Sequence, residues 1–301
     1  MLEKLQLHTL LLSAWRASLS KRLPWIFGSL LAVAGVIESR VTALLPDTSS
    51  FQEFLNIISE KSGETILSFL LIFIFLFSLE ILGKSNLIVS LSSVTGKTDL
   101  PNHPDNPAAV GRNFFRAFLL ECLALFFLLA VILVFSIPFF IASSRNPEAL
   151  DTLLNLGFLV FIPIAIATFF ISQFALFYLL LSPLRIRGSI EAGSSLFSRY
   201  IFPSLLFGLF SFTLTAFFTF CINIVILGLA ALSKKMSLPL DDASLSLIIG
   251  LIFFAWFSIF QQALWLAFFK SIAGQDKTEE LVKEKESALD TQTLPEIPPA
   301  Q

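Results

Sequence analysis

An all-α polytopic membrane bundle, with six transmembrane helices and amphipathic interfacial segments, is the fold class this sequence predicts, on three observations. Hydrophobic residues make up 55% of the chain and charged residues only 14%, against about 45–50% (Gly included) and about 25% in soluble domains. So little charge cannot cover long helices with polar faces, which leaves lipid as the solvent. Uncharged runs at 122–144, 152–184, 200–233 and 243–269 each exceed the ~20 residues that cross a bilayer. The 35 phenylalanines mix with Leu and Ile without period-two alternation, which points to helices and away from a membrane barrel.

The elements follow in order. MLEKLQLHTLLLSAW is weakly basic, carries Glu3 and lacks a small-residue cleavage site after its apolar stretch, so it does not read as a cleavable signal. Residues 1–22 are instead expected to form an amphipathic helix on the cytoplasmic leaflet, before the chain turns in at Pro24-Trp25. A membrane domain, 23–270, then holds spans at approximately 23–45, 65–84, 113–142, 152–182, 200–232 and 246–269. Glu38 and Arg40 fall near the far end of the first span, at the outer headgroups. Glu80 precedes Lys84 by one turn, an i, i+4 spacing that accounts for both. Pro138 and Pro163 interrupt the third and fourth spans without marking matching positions of two inverted halves.

Between the first two spans, Ser50 and Glu53 have capping-box spacing ahead of an apolar stripe at Phe51, Phe54, Leu55 and Ile58, which predicts a short outer helix ending at Gly63. Residues 271–301 form a charged, partly disordered cytoplasmic tail, with a Glu279–Lys283 pair and a proline-rich end.

Orientation follows from the twenty Lys and Arg residues. Fifteen fall before the first span, in the two even-numbered connectors or after the sixth span, while Arg40, Lys61, Arg145, Lys234 and Lys235 fall opposite. The excess predicts that both termini are cytoplasmic in a plasma membrane.

Few residues carry recognisable chemistry. Gly96-Lys97-Thr98 matches the end of a phosphate-binding loop, but the glycine required earlier is Leu91 and no soluble strand precedes it. His8 and His103 are the two histidines, and Cys122 and Cys221 lie far apart in predicted spans, so neither a zinc site nor a redox pair is expected. There is no GxSxG elbow. No metal, cofactor or nucleic-acid partner is expected.

Polar side chains at membrane depth are costly and point to a bundle interior or a water-filled path. The candidates are Glu121, five residues beyond Arg116, with Gln173, Asn223, Gln261 and Gln262 deeper in their spans. Interhelical hydrogen bonds explain isolated amides, whereas a shared cavity would mark a transport path.

The connector RIRGSIEAGSSLFSRY places Arg185, Arg187 and Arg199 beside Gly188, Ala192, Gly193, Ser194 and Ser195. Together with Arg112 and Arg116, these arginines could form a shallow surface for anionic lipid headgroups or serve purely as topology signals. Three segments, SAWRASLSKRLPWIFGSLL, AAVGRNFFRAFLLECL and EAGSSLFSRYIFPSLLFGL, each run from small residues through cations and aromatics into a long apolar helix. They suggest three helical hairpins with interfacial lead-ins.

From these lead-ins, the connector and the six spans, residues 10–270 resemble uncharacterised bacterial six-pass families, including the membrane portion joined to some glycerophosphodiester phosphodiesterases. The resemblance implies a bacterial plasma-membrane protein. It does not carry over the phosphodiesterase activity, because no soluble region here is long enough for that domain. The expected function is a non-enzymatic, lipid-interacting or scaffolding role at the cytoplasmic leaflet, with membrane lipids as partners. A transporter or channel through Glu121 and the mid-membrane amides is the alternative, and an intramembrane enzyme would need a nucleophile or metal that the sequence does not supply.

Overall fold

The computed structural model describes residues 7–19, 22–43, 63–95, 107–145, 148–235 and 242–292. Eight helices and no strand occur among them: α1 (Leu7–Leu19), α2 (Arg22–Ala43), α3 (Gly63–Thr95), α4 (Pro107–Arg145), α5 (Glu148–Leu181), α6 (Ile186–Arg199), α7 (Ile201–Lys235) and α8 (Asp242–Gln292). The expected helix at Ser50, the Gly96-Lys97-Thr98 connector, His103 and the proline-rich end lie outside the described residues.

Five helices carry membrane-length apolar stretches, Leu67–Ser92, Ala109–Ile137, Gly157–Leu181, Ile201–Leu229 and Leu247–Gly274. A sixth candidate is the pair α1 and α2, bent by 95° at its break. The chain is therefore an all-helical, multi-pass membrane protein. Its outward faces agree, because Phe75, Phe126, Leu159, Phe212 and Leu227 are largely exposed, and contiguous apolar surface of this kind is stable only against lipid.

Burial is concentrated at one end of the bundle. Ile81–Ser92 of α3 is mostly buried, as are Phe174–Leu180 of α5 and much of Ala255–Ile272 of α8. The opposite halves, Leu67–Phe75 of α3 and Phe212–Leu232 of α7, are mainly exposed or half-buried. Aromatic contacts knit the closed end together: Phe207 stacks on Phe268 with centroids 4.0 Å apart, and Phe177 stacks on Phe269 at 5.0 Å.

Small residues let the helices approach, as is common where lipid supplies no hydrophobic drive for association. Ser85, Ser90 and Ser92 of α3 are buried, each donating its hydroxyl to a carbonyl one turn back in its own helix, at Leu82, Leu87 and Val89. Each hydroxyl thereby meets a backbone acceptor within its own helix. This explains how α3 continues, buried, well past Lys84, where the sequence pattern ended the second span. Both α4 and α5 also remain helical through Pro138 and Pro163.

Two of the three similar lead-ins form a short helix, a break and a long helix. In α1 the buried residues are Leu10, Ala14, Ala17 and Ser18; in α6 they are Ser189, Gly193, Leu196 and Phe197. Both sets follow the same i, i+4, i+7, i+8 spacing. α1 packs on α8, where Trp15 meets Trp256 edge-on at 5.2 Å, while α6 packs on α5, where Phe197 stacks on Phe170 at 5.4 Å. The third lead-in has no break, because α4 runs unbroken from Pro107.

Candidate functional site

Three helices build a polar-lined cavity among the described residues. α2 contributes a face at Leu31, Ala34, Gly35 and Glu38; α3 contributes Phe73, Leu76, Phe77 and Glu80; α8 contributes Ser258, Gln261 and Gln262. The α2 and α3 faces have the same i, i+3, i+4, i+7 spacing and each ends in glutamate, so each acid shares a helix stripe with apolar wall residues. Together the three faces line a half-open cavity of about 260 Å³, in which Glu38 and Glu80 are exposed.

Glycines hold α2 in place. A Cβ on Gly83 would lie 2.9 Å from Leu31 Cγ and 3.2 Å from the Phe27 carbonyl oxygen, and one on Gly28 would lie 2.9 Å from the Ala255 carbonyl oxygen. Gly83 follows Glu80, whereas Phe27 and Leu31 precede Ala34. Thus α2 and α3 run antiparallel, and their carboxylates stand toward opposite ends of the shared face. Gln261 donates to Thr215 Oγ1 of α7 at 3.3 Å, which ties the α8 wall to its neighbour. The Gln262 Oε1 atom is buried and has no hydrogen-bond partner among the described residues.

Next to the cavity lies an interhelical ion pair. Lys84 Nζ donates to Glu121 Oε1 at 3.0 Å, with both side chains less than one-fifth exposed. Lys84 thus reaches across to α4, although the sequence assigned it to Glu80 within its own helix. Glu80 remains within electrostatic reach of Lys84, Glu38 and Glu121.

The polar residues singled out by membrane depth therefore separate. Gln261 and Gln262 line the cavity, Glu121 sits behind it on Lys84, Gln173 is buried in α5, and Asn223 is exposed on α7. Glu38, Glu80 and Ser258 belong with the cavity residues, although local spacing accounts for the two acids separately and does not mark the serine. The matching LxxAGxxE and FxxLFxxE stripes were the signal available for both acids.

The arginines also take separate positions. Arg116 donates through Nη2 to the Leu184 carbonyl oxygen at 2.6 Å, bracing the turn between α5 and α6. Arg187 donates through Nε to Glu191 at 2.9 Å, and this hydrogen bond pushes its guanidinium further above the ordinary arginine value. Arg185 is exposed at the start of α6 and Arg199 is exposed at its end. Twelve residues of helix put Arg187 and Arg199 about 18 Å apart along the axis, while Arg112 is exposed near the start of α4. Arg116 thus joins the end of the connector nearer Arg185.

Cys122 and Cys221 are free thiols. Among the described residues, no group of three or more His, Cys, Asp or Glu side chains is arranged to hold a metal ion. No protein-family model, curated protein or solved structure matches the chain.

Proposed function

We propose that this protein is a non-enzymatic membrane carrier whose solute-binding site is the cavity between α2, α3 and α8. It works in a plasma membrane with both termini on the cytoplasmic side, an orientation supported by the distribution of Lys and Arg. The observation that carries the reading is the convergence of Glu38, Glu80, Gln261 and Gln262 from three helices on one cavity, within or beside apolar stretches. Amides at membrane depth are expensive in lipid and are retained where they face water or a solute, and the exposed Glu38 and Glu80 extend that polar lining. The bonds made by Arg116 and Arg187 give those residues a structural use, so the connector supports a lipid-headgroup role less strongly than the cavity supports solute binding.

A thiol in the cavity tests this. In a Cys122→Ala, Cys221→Ala background of the full chain in proteoliposomes, Ser258→Cys should react with a water-soluble maleimide added on one side of the membrane. Reaction only with a lipid-soluble maleimide, or none in folded protein, would overturn the reading.

A further inference from the structure

Asn223 is a polar side chain on the outward surface of a membrane-length helix. The inward face of α7 is occupied by α8: Thr215 accepts from Gln261, Phe218 meets the rings of Trp256 and Phe257, and Ile222, one turn beyond Phe218, is buried. Asn223 follows Ile222 by one residue, which turns it about 100° round the helix. It is exposed there, and its amide makes no hydrogen bond among the described residues.

Depth makes that exposure costly. α7 continues as one helix to Lys235, and Asn223 precedes Lys234, the first cation at that end, by eleven residues, about 16 Å along the axis. With Lys234 at the headgroups, the amide lies inside the hydrocarbon core of about 30 Å, where no water meets its N–H and C=O groups. An acyl chain offers neither donor nor acceptor.

The residues that share its flank describe a seam. Leu209, Phe212, Ala216, Thr219, Asn223 and Ile226 follow one another by three and four positions; Thr219 and Ile226 are half-buried and the rest are exposed. That heptad spacing keeps one seam toward a partner helix in a left-handed crossing. Ala216 and Thr219 put small side chains next to Asn223, so a partner backbone can come close. A single asparagine in such a seam fixes register and oligomeric state.

The chemistry of the amide selects the partner. A second copy with the same topology carries residue 223 at the same depth, and a two-fold axis along the membrane normal sets each residue of the seam against itself. The asparagine amide holds both a donor and an acceptor, so two of them satisfy each other reciprocally. We infer that the exposed flank of α7 is a homodimer interface, in which the Asn223 amides of two copies exchange hydrogen bonds across a parallel α7–α7 crossing. This face lies apart from the cavity between α2, α3 and α8, so the inference does not rest on the carrier reading.

The test counts subunits in bilayers. The full-length protein, fused after residue 301 to a fluorescent protein, is reconstituted into liposomes over a range of protein-to-lipid ratios, and bleaching steps are counted in single vesicles. Two-step bleaching should grow with the ratio. Asn223→Leu should weaken the association about three- to thirtyfold, while Asn223→Gln, which keeps both groups, should restore most of it; unchanged helicity shows that each variant is folded. In a Cys122→Ala, Cys221→Ala background, mild oxidation should link Ala216→Cys into a dimer and leave Phe217→Cys, which is exposed on a different side of α7, unlinked.

Single-step bleaching at every ratio would overturn the inference and leave the flank to lipid or to a different protein. Dimers that Asn223→Leu does not weaken, or that link through position 217 in preference to 216, would overturn it in favour of another face. Equal weakening by the leucine and glutamine variants would assign the effect to side-chain shape and overturn the amide exchange.

Discussion

Lys84 and Glu121 are 3.0 Å apart with side chains 19% and 18% exposed, so each charge is compensated chiefly by the other in a largely desolvated position. Removing one partner strands the remaining charge, an effect that reaches about 3–5 kcal/mol for a buried pair. Lys84→Ala should therefore lower the melting temperature of the protein in nanodiscs more than Lys84→Ala with Glu121→Gln does. An equal loss in the two variants would show that the pair contributes through packing alone. The sequence exposed both residues as candidates for pairing but not the choice of partner. Lys84 is one turn from Glu80, a local pairing that satisfies helix spacing, while Glu121 lies five residues beyond Arg116, just outside it. The actual pair joins residues 37 positions apart and depends on how α3 crosses α4, which local spacing does not encode. The cavity acids were more accessible to sequence reasoning, because LxxAGxxE and FxxLFxxE place each glutamate on an apolar stripe that must face something.

Helix crossings are set by glycines that look alike in sequence and differ in space. Gly188 and Gly193 both lie in α6, and composition alone gives both the same role of permitting close approach. A Cβ at Gly193 would lie 2.8 Å from the Ala175 backbone nitrogen and 2.9 Å from the Ile171 carbonyl oxygen, whereas at Gly188 the nearest atom is Leu184 Cδ2 at 3.7 Å. The obstruction at Gly193 is helix backbone, which cannot rotate aside, so Gly193→Ala must push α6 off α5. A loss of about 1–3 kcal/mol is expected, as for other overpacked sites. Gly188→Ala should be neutral or gain up to about 1 kcal/mol, since alanine favours helix over glycine. Thermal unfolding of the two variants in the same nanodiscs checks this, and equal behaviour would remove close approach as the reason for glycine at 193. Apolar length made the long helices legible, and amphipathic spacing marked the short α1 and α6. The 95° corner between α1 and α2 was foreshadowed only by Pro24-Trp25.

The whole molecule combines a closed end, rich in buried small and aromatic residues, with an end whose apolar side chains face outward. At 1.5 Å per residue, α1 and α6 extend about 20 Å each and are too short for a hydrocarbon core of about 30 Å. Both fold back on a neighbouring helix through the same i, i+4, i+7, i+8 face. The 22 residues of α2 extend about 33 Å and suffice for a crossing. Counting α2 with the five long apolar helices gives six crossings and an even topology. The basic residues agree, since six crossings place fifteen Lys and Arg on one side and five on the other. Without a crossing by α2, the cations at Lys4, Arg16, Lys21 and Arg22 move to the sparsely basic side, and the two termini lie on opposite faces. Reporters fused before α1 and after α8, one active only in the cytoplasm and the other only outside it, separate these topologies. Cytoplasmic activity at both positions is expected; opposite faces would establish five crossings and make the α1–α2 pair a re-entrant segment, with the Glu38 wall of the cavity carried on an element that does not span the membrane.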